Sequence, residues 1–207
     1  MKPTFRKRFF AWTLRKGDPF NHALYGEHKR NLFQNVSGQV VEIGPGTGVN
    51  FKYLPEGINW VGIEPNEAFH SVLKQKAEEK NIQARLLKGD ASHIPLPDND
   101  VDVVICTLVL CSVVDPAAAI AEMKRILKPG GKLIFIEHVA AREKTFLRTF
   151  QNTFNPVNQL MADGCNCNRE TWTYIEQARF KQVELSHRKL KGALKIHSPH
   201  IMGFAIK

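Results

Sequence analysis

The stretch Val40-Val41-Glu42-Ile43-Gly44-Pro45-Gly46-Thr47-Gly48-Val49-Asn50-Phe51, VVEIGPGTGVNF, decides the reading of the fold. A short apolar run ends in three glycines at alternate positions. Glycine is tolerated where φ must be positive or where a ligand needs the space of a Cβ. A strand, a glycine turn and a following helix create a binding site at the helix N-terminus. Three kinds of ligand suit such a loop: a nicotinamide dinucleotide, a nucleotide phosphate, or another small molecule. The dinucleotide fingerprint is G-x-G-x-x-G, with an acid about twenty residues later for a ribose hydroxyl. Here Gly44, Gly46 and Gly48 spell G-x-G-x-G, and Val49 takes the third fingerprint position. Glu64 supplies the acid, twenty positions after Gly44. A phosphate loop is excluded, because no Gly-Lys-Ser/Thr follows. Glu42 lies two residues before the first glycine, awkward beside a pyrophosphate but acceptable near a cationic ligand.

Outward from that loop, strand-like and helix-like segments alternate. Strands are expected at Gln39–Ile43, Trp60–Glu64, Arg85–Lys88, Val101–Val109 and Lys132–Val139. A helix is expected over Glu67–Asn81, where Phe69, Val72 and Leu73 share one face. Asp115-Pro116 opens a second, with Asp at the N-cap and Pro in the first turn, where its missing N–H costs nothing. Lys128-Pro129-Gly130-Gly131 stops that helix and turns the chain. Glu143–Met161 is expected as a helix broken near Asn155-Pro156, then Thr171–Ala178 as a short helix, and Val183–His187 with His200–Ile206 as a closing pair of strands. The pattern predicts an α/β fold: a doubly wound, mostly parallel sheet with helices on both faces. Ligands then sit at the carboxyl ends of the strands, near the switch in strand order. The expected organisation is a basic helical segment or lid over residues 1–37 and a single domain over 38–207, with 143–178 as a substrate-side insertion.

The composition fits one soluble globular domain: 207 residues, 43% hydrophobic and 24% charged. Phe9-Phe10-Ala11-Trp12 is too short for a signal-peptide core, so the expectation is a cytoplasmic chain. The net charge of +9 is uneven. Residues 1–39 hold eight Lys/Arg against two acids, residues 179–207 seven against one, and residues 40–178 fourteen against seventeen. Basic ends suit an anionic membrane surface or simply a solvated exterior. No nucleic-acid motif accompanies them, so no nucleic-acid partner is expected.

Later residues carry the resemblance. Gly89-Asp90-Ala91 follows the third strand, and Asp102-Val103-Val104 leads the fourth. The order E-x-G-x-G-x-G, terminal acid, G-D-A, D-x-V strand and K-P-G-G resembles class I S-adenosylmethionine-dependent methyltransferases over residues 38–139. That resemblance implies S-adenosylmethionine as cofactor and a small-molecule methyl acceptor. It implies that Gly44, Pro45, Gly46, Thr47 and Gly48 approach the cofactor's methionine part and ribose, and that Glu42 orients the loop or the cofactor's amino group. It further implies Glu64 on the ribose hydroxyls, Pro65 and Asn66 beside ribose and adenine, and Asp90 and Ala91 on adenine. Cys106, Thr107 and Leu108 would line the floor. A narrower resemblance, to the methyltransferase-like family that includes the alkyl-thiol S-methyltransferases, rests on Cys106–Val113 (CTLVLCSV), Ile136–Ala141 (IEHVAA), Asp163-Gly164-Cys165-Asn166, Asn168-Arg169-Glu170 and Pro199–Lys207. It implies a thiol acceptor; the alternatives are a lipid, a quinone or another small oxygen or nitrogen acceptor, or a module that binds the cofactor or nucleic acid without catalysis. Those family members carry an N-terminal hydrophobic anchor and tend to have Cys where Pro45 stands. No such apolar run stands here, and the expectation is at most peripheral contact of the basic N-terminus with a membrane.

Around the acceptor, Cys111, His138 and Asp163 are the candidate residues. His138 has two open readings, as base for a substrate thiol or hydroxyl, or as a hydrogen-bond partner of a loop carbonyl. Cys106 and Cys111 fall in apolar sequence, where a free Cys behaves as a small hydrophobe. Cys165-x-Cys167 invites a metal reading, but no second pair stands at suitable spacing, so no metal is expected.

Overall fold

The computed structural model describes residues 4–207. The first three positions of the expected 1–37 segment, and the side chains of Phe5 and Arg6, lie outside the described residues. A seven-stranded sheet runs β3-β2-β1-β4-β5-β7-β6. Its strands are β1 (Gln39–Ile43), β2 (Asn59–Ile63), β3 (Gln83–Leu87), β4 (Val101–Thr107), β5 (Leu127–His138), β6 (Gln182–Lys189) and β7 (Pro199–Ile206). The first five are parallel, and β7 is antiparallel to both β5 and β6. Strand order therefore reverses between β1 and β4. That is the place where a doubly wound sheet opens a crevice at its carboxyl edge.

The helices are α1 (Phe5–Phe33), α2 (His70–Glu79), α3 (Pro116–Ile126), α4 (Phe146–Met161) and α5 (Thr171–Gln177). Two apolar layers sandwich the sheet. On one face α3 buries Ala119, Ile120, Met123 and Ile126 against Val41, Val104 and Leu133. On the other, Phe33 of α1, Phe51 and Leu73 of α2 pack with Trp60, Val103 and Ile105. The start of α3 follows from its capping residues: Asp115 Oδ1 accepts from the Ala118 N–H at 3.0 Å, with Pro116 in the first turn.

Four expectations are corrected. The glycine loop does not open an α-helix. It leads into a single 3-10 segment, Val49–Tyr53, because Gly48 is left-handed at φ +73° and the chain turns at once over Phe51. That segment is buttressed by α1, where His22 Nδ1 and the Tyr53 hydroxyl lie 2.9 Å apart. Second, Lys128–Gly131 turns within β5 rather than before it: Gly130 is left-handed at φ +80°, the β4–β5 register shifts between Val101 and Val103, and the segment is held by Gly130 N–H to Lys207 O and Lys207 N–H to Gly131 O, both 3.0 Å. Third, α4 begins three residues later than expected and is unbroken at Pro156. Pro156 and Asn152 are both exposed, so water can satisfy the carbonyl that the missing N–H frees. Fourth, the expected helix over 67–81 divides into a 3-10 turn, Glu67–Phe69, capped by the Asn66 side chain, followed by α2.

Gly203 sits where β5, β7 and β6 meet, opposite Phe135 on one side and Leu185 on the other. A Cβ there would run into the Glu184 carbonyl. Gly203→Ala should therefore cost about 1–3 kcal/mol, as overpacked interiors do, read as a lower urea midpoint at unchanged slope. An unchanged midpoint would contradict this close approach.

Candidate functional site

A cleft of about 560 Å3 opens at the carboxyl ends of β1, β2 and β4. A volume of this size suits a small-molecule ligand. Gly44, Gly46, Glu64, Pro65, Asn66, Asp90, Ala91, Leu108 and Asp163 line it, all named from sequence. Lys7, Phe10 and Leu14 of α1 close one side, and Val109, Ser112 and Val113 another.

The glycine turn and the β2 terminus are built as one unit. Glu64 is buried, and its carboxylate accepts from the Gly46 N–H at 3.0 Å and the Asn66 N–H at 2.8 Å. Each oxygen thus keeps an acceptor position for a ligand hydroxyl. Burial raises the Glu64 pKa, and the two backbone N–H groups oppose that rise. Gly44 must be glycine: its φ is +59°, and a Cβ would meet Val109 Cγ2 at 2.7 Å. Gly46 has φ +54° and no atom nearer its Cβ position than 4.0 Å, so its outer side faces open space. Asp90 is exposed at the rim, with Oδ1 accepting from the Ser92 N–H at 2.7 Å, and Ala91 is buried behind it.

Other sequence-predicted residues do not line this cleft. Glu42 is fully enclosed, and its two oxygens accept from Asn50 Nδ2 at 2.8 Å and Trp60 Nε1 at 2.9 Å. Asn50 Nδ2 also donates to the Thr107 hydroxyl at 3.0 Å, tying the turn to the end of β4. Thr47 donates to Asp18 Oδ1 at 2.6 Å, and Lys76 pairs with Asp18 Oδ2 at 3.0 Å. Thr47 therefore fastens α1 across the loop. Pro45 is buried and its carbonyl accepts from the Gly48 N–H at 2.9 Å. The Cys106 thiol points to Glu137 Oε1 at 3.6 Å. Cys111 and His138 lie behind the cleft wall, with His138 Nε2 3.1 Å from Cys165 Sγ.

Two buried ionisable groups matter more than the sequence reveals. Lys29 of α1 is 1% exposed. Its ammonium donates to Asn21 Oδ1 at 2.7 Å and lies over the Tyr25 and Tyr53 rings at 5.6 and 5.7 Å. Burial lowers its pKa to about 8, while Glu42 and Asp18 pull it upward. In sequence it is one of many cations in a basic segment, and nothing local singles it out. Glu137 is fully buried in β5 and accepts on Oε1 from the Val109 N–H at 2.9 Å and the Leu110 N–H at 3.1 Å. Those bonds hold the turn in which Leu108 takes φ +59°, a costly conformation for a non-glycine residue at a cleft wall.

The residues fit an adenosyl cofactor. Glu64 offers paired acceptors, Gly46 leaves room for close approach, and Ile43, Phe69 and Val109 form an apolar slot near Asp90 and Ala91.

Comparison with known proteins agrees with this geometry. Residues 41–135 match the family described as "Methyltransferase domain". The chain is 37% identical to human thiol S-methyltransferase TMT1A, over 97% of this chain and 87% of that protein. It is 34% identical to human thiol S-methyltransferase TMT1B over the same shares. Among solved structures, a methyltransferase from Thermotoga maritima, described as a possible histamine N-methyltransferase, superposes with a TM-score of 0.68 at 21% identity, covering 96% of this chain and 98% of that one.

Glu137 generates a pH signature. Burial lifts its pKa from 4.5 to about 7, so the native state holds a proton that the unfolded state has lost. Its contribution to stability is complete below about pH 4.5 and fades as pH rises through about 7. The denaturation midpoint should fall between about pH 5 and about pH 8, with a shallower fall in Glu137→Gln. An identical slope in that variant would show that Glu137 does not titrate in this window.

Proposed function

Because the chain belongs to the S-adenosylmethionine-dependent methyltransferase family that includes the thiol S-methyltransferases, we propose that its methyl acceptor is a small alkyl thiol. The chain is an S-adenosylmethionine-dependent methyltransferase of the Rossmann-like type. The observation that carries the thiol reading is the lining of the cleft beyond the glycine turn. Phe10, Leu14, Val109, Val113 and Val114 make apolar walls that suit an alkyl chain, with Ser112, Asp115 and Asp163 as polar edges. The relatives' names support the same chemistry.

The bound cofactor supplies a methyl group already activated on a sulfonium. The protein's task is then to hold and align. Glu64 receives the ribose hydroxyls, and charge-assisted bonds of this kind are the strong ones. The Gly46 backbone and the Ala91 N–H set the distance and the ring plane. The apolar walls exclude water and hold the acceptor sulfur in line, and alignment alone is worth on the order of 7–11 kcal/mol in well-oriented systems. A thiol ionises near pH ~8.5 and is strongly nucleophilic, so it needs little help from a base. The His138 Nε2 atom is engaged with Cys165, and the reading requires no proton transfer to it.

The same reading includes peripheral contact with an anionic membrane. What supports it is an apolar exterior beside positive charge. On α1, Phe9, Trp12 and Phe20 are more than half exposed among Arg8, Arg15 and Lys16. On α4, Phe146, Phe150, Val157, Leu160 and Met161 form an exposed stripe at helical spacing. Among the described residues no helix is long and apolar enough to cross a membrane. The geometry suits an interfacial helix rather than a span.

Two measurements test the reading. With labelled cofactor, alkyl thiols should be methylated in preference to phenols and amines, and Glu64→Ala should bind S-adenosylhomocysteine at least about tenfold more weakly. Methylation of amines alone would sink the thiol acceptor, and unchanged binding would sink the ribose role. The chain should also co-sediment with vesicles of anionic lipid, and replacing Phe150 and Leu160 together by Ser should release it. Equal sedimentation of the two would remove α4 from the contact.

A further inference from the structure

Behind the cleft wall, three segments far apart in sequence bring soft ligands together. Cys111 follows β4, His138 ends β5, and Cys165 lies in the loop after α4. Their ligand atoms all lie within 4.8 Å of one another, and all three residues are buried. Cys165 Sγ stands 3.1 Å from His138 Nε2. The His138 Nδ1 atom is buried with no hydrogen-bond partner among the described residues, an unusual state for an imidazole nitrogen. A second imidazole stands over the group: the His138 and His197 rings are 4.8 Å apart at their centroids. Asn158 orients it. The Asn158 amide nitrogen donates to Cys165 O at 2.7 Å and lies 3.3 Å from Cys165 Sγ. Its Oδ1 is then left to accept from His197 Nε2–H at 3.0 Å, which leaves His197 Nδ1 with its lone pair.

We propose that Cys111, His138 and Cys165 form a binding site for a thiophilic d10 metal ion such as Zn2+, with His197 as the fourth ligand. The chemistry of the donor set matches. Two thiols and two imidazoles are a tetrahedral zinc set with Zn–S near ~2.3 Å and Zn–N near ~2.0–2.1 Å. Ligand atoms of such a tetrahedron stand roughly 3.3–3.8 Å apart. The Cys111, His138 and Cys165 atoms lie within 4.8 Å, so a contraction of about 1 Å at the widest pair closes those three, and His197, outside that group, must turn its Nδ1 inward to complete the tetrahedron. On binding, each thiol releases its proton to solvent and both sulfurs bond the metal. The result is one dication with two thiolates, a neutral complex that burial does not penalise as it would a lone charge. Spacing along the chain hid the site, because the partner of Cys165 is Cys111 across the fold and not Cys167 two residues on.

The site's position assigns it a task. Ser112 and Asp163 line the cleft, and each is a near neighbour in sequence of a proposed ligand. The loops are already joined by Asn166, whose N–H donates to Cys111 O at 2.8 Å. A metal ion would fasten the same two loops and so fix the wall against which the acceptor rests. This inference stands independently of the acceptor's identity.

The test uses the full chain, reduced and freed of metal by a chelator, with Co2+ and Zn2+ as probes. Co2+ should give a sulfur-to-cobalt charge-transfer absorption and the intense d–d bands of four-coordination, and Zn2+ should displace it with release of protons. Cys111→Ser and Cys165→Ser should each weaken Zn2+ binding about 100-fold or more, while Cys167→Ser should retain it. Where a serine variant fails to fold, the zinc X-ray absorption of the unaltered chain decides, with mixed sulfur and nitrogen donors expected. No uptake, a six-coordinate cobalt spectrum, an all-oxygen zinc shell, a Cys111–Cys165 disulfide formed in place of uptake, or undiminished binding in the Cys165 variant would each overturn the site.

Discussion

The cleft depends on one buried carboxylate. Glu137 has no exposed surface, and its Oε1 gathers the Val109 and Leu110 N–H groups as β4 ends. A chain leaving a sheet edge must find partners for its backbone groups, and burial makes the need acute. The Glu137 carboxylate meets it within a few residues. That permits Leu108 to take a left-handed conformation and directs Val109 and Val113 into the cleft, while Cys111 turns behind it. Arg169 completes the support, donating to Leu110 O at 2.6 Å and Val113 O at 2.7 Å. The Val109–Val113 wall of the acceptor region thus hangs on bonds made by residues outside the cleft.

The glycine turn has an analogous foundation. Its far side is held by the Glu42, Asn50 and Trp60 bonds, and its near side by Glu64. Since only a 3-10 segment follows the turn, the long helix α1 takes over the support, through Thr47–Asp18–Lys76 and the His22–Tyr53 contact. A buried lysine at the centre of that packing is tolerable because Asn21, two aromatic faces and the nearby Glu42 compensate its charge.

Much of this was legible in sequence, and the reasons are local. β1 was readable to the residue because the glycines punctuate it, and α3 because Asp115-Pro116 is a cap with a mechanism. The segment Lys128–Gly131 reads as a turn, and its place as a bulge inside β5 depends on β4 and Lys207, which no local pattern displays. Pro156 misled because its effect depends on exposure, which one sequence does not display. The cleft residues Glu64, Asp90 and Asp163 were found through spacing and resemblance. Lys29, Asn50 and the true surroundings of Glu137 were not, because their partners lie across the fold and no local pattern encodes a contact between residues 29 and 53 or 137 and 109. Glu42 had two readings, orienting the loop or meeting the cofactor's amino group, and its bonds to Asn50 and Trp60 place it behind the turn.

The helix α1 has one further consequence. Within two turns it sends Phe10 and Leu14 inward to the cleft and Phe9 and Trp12 outward. An apolar acceptor dissolved in a bilayer touching that outer face would be enriched by its partition coefficient before it meets the inner one. The concentration that governs turnover would then be the concentration in the lipid. Two thiols of equal intrinsic reactivity would be ranked by their oil solubility, so selectivity would be shared between the protein and the medium it rests on.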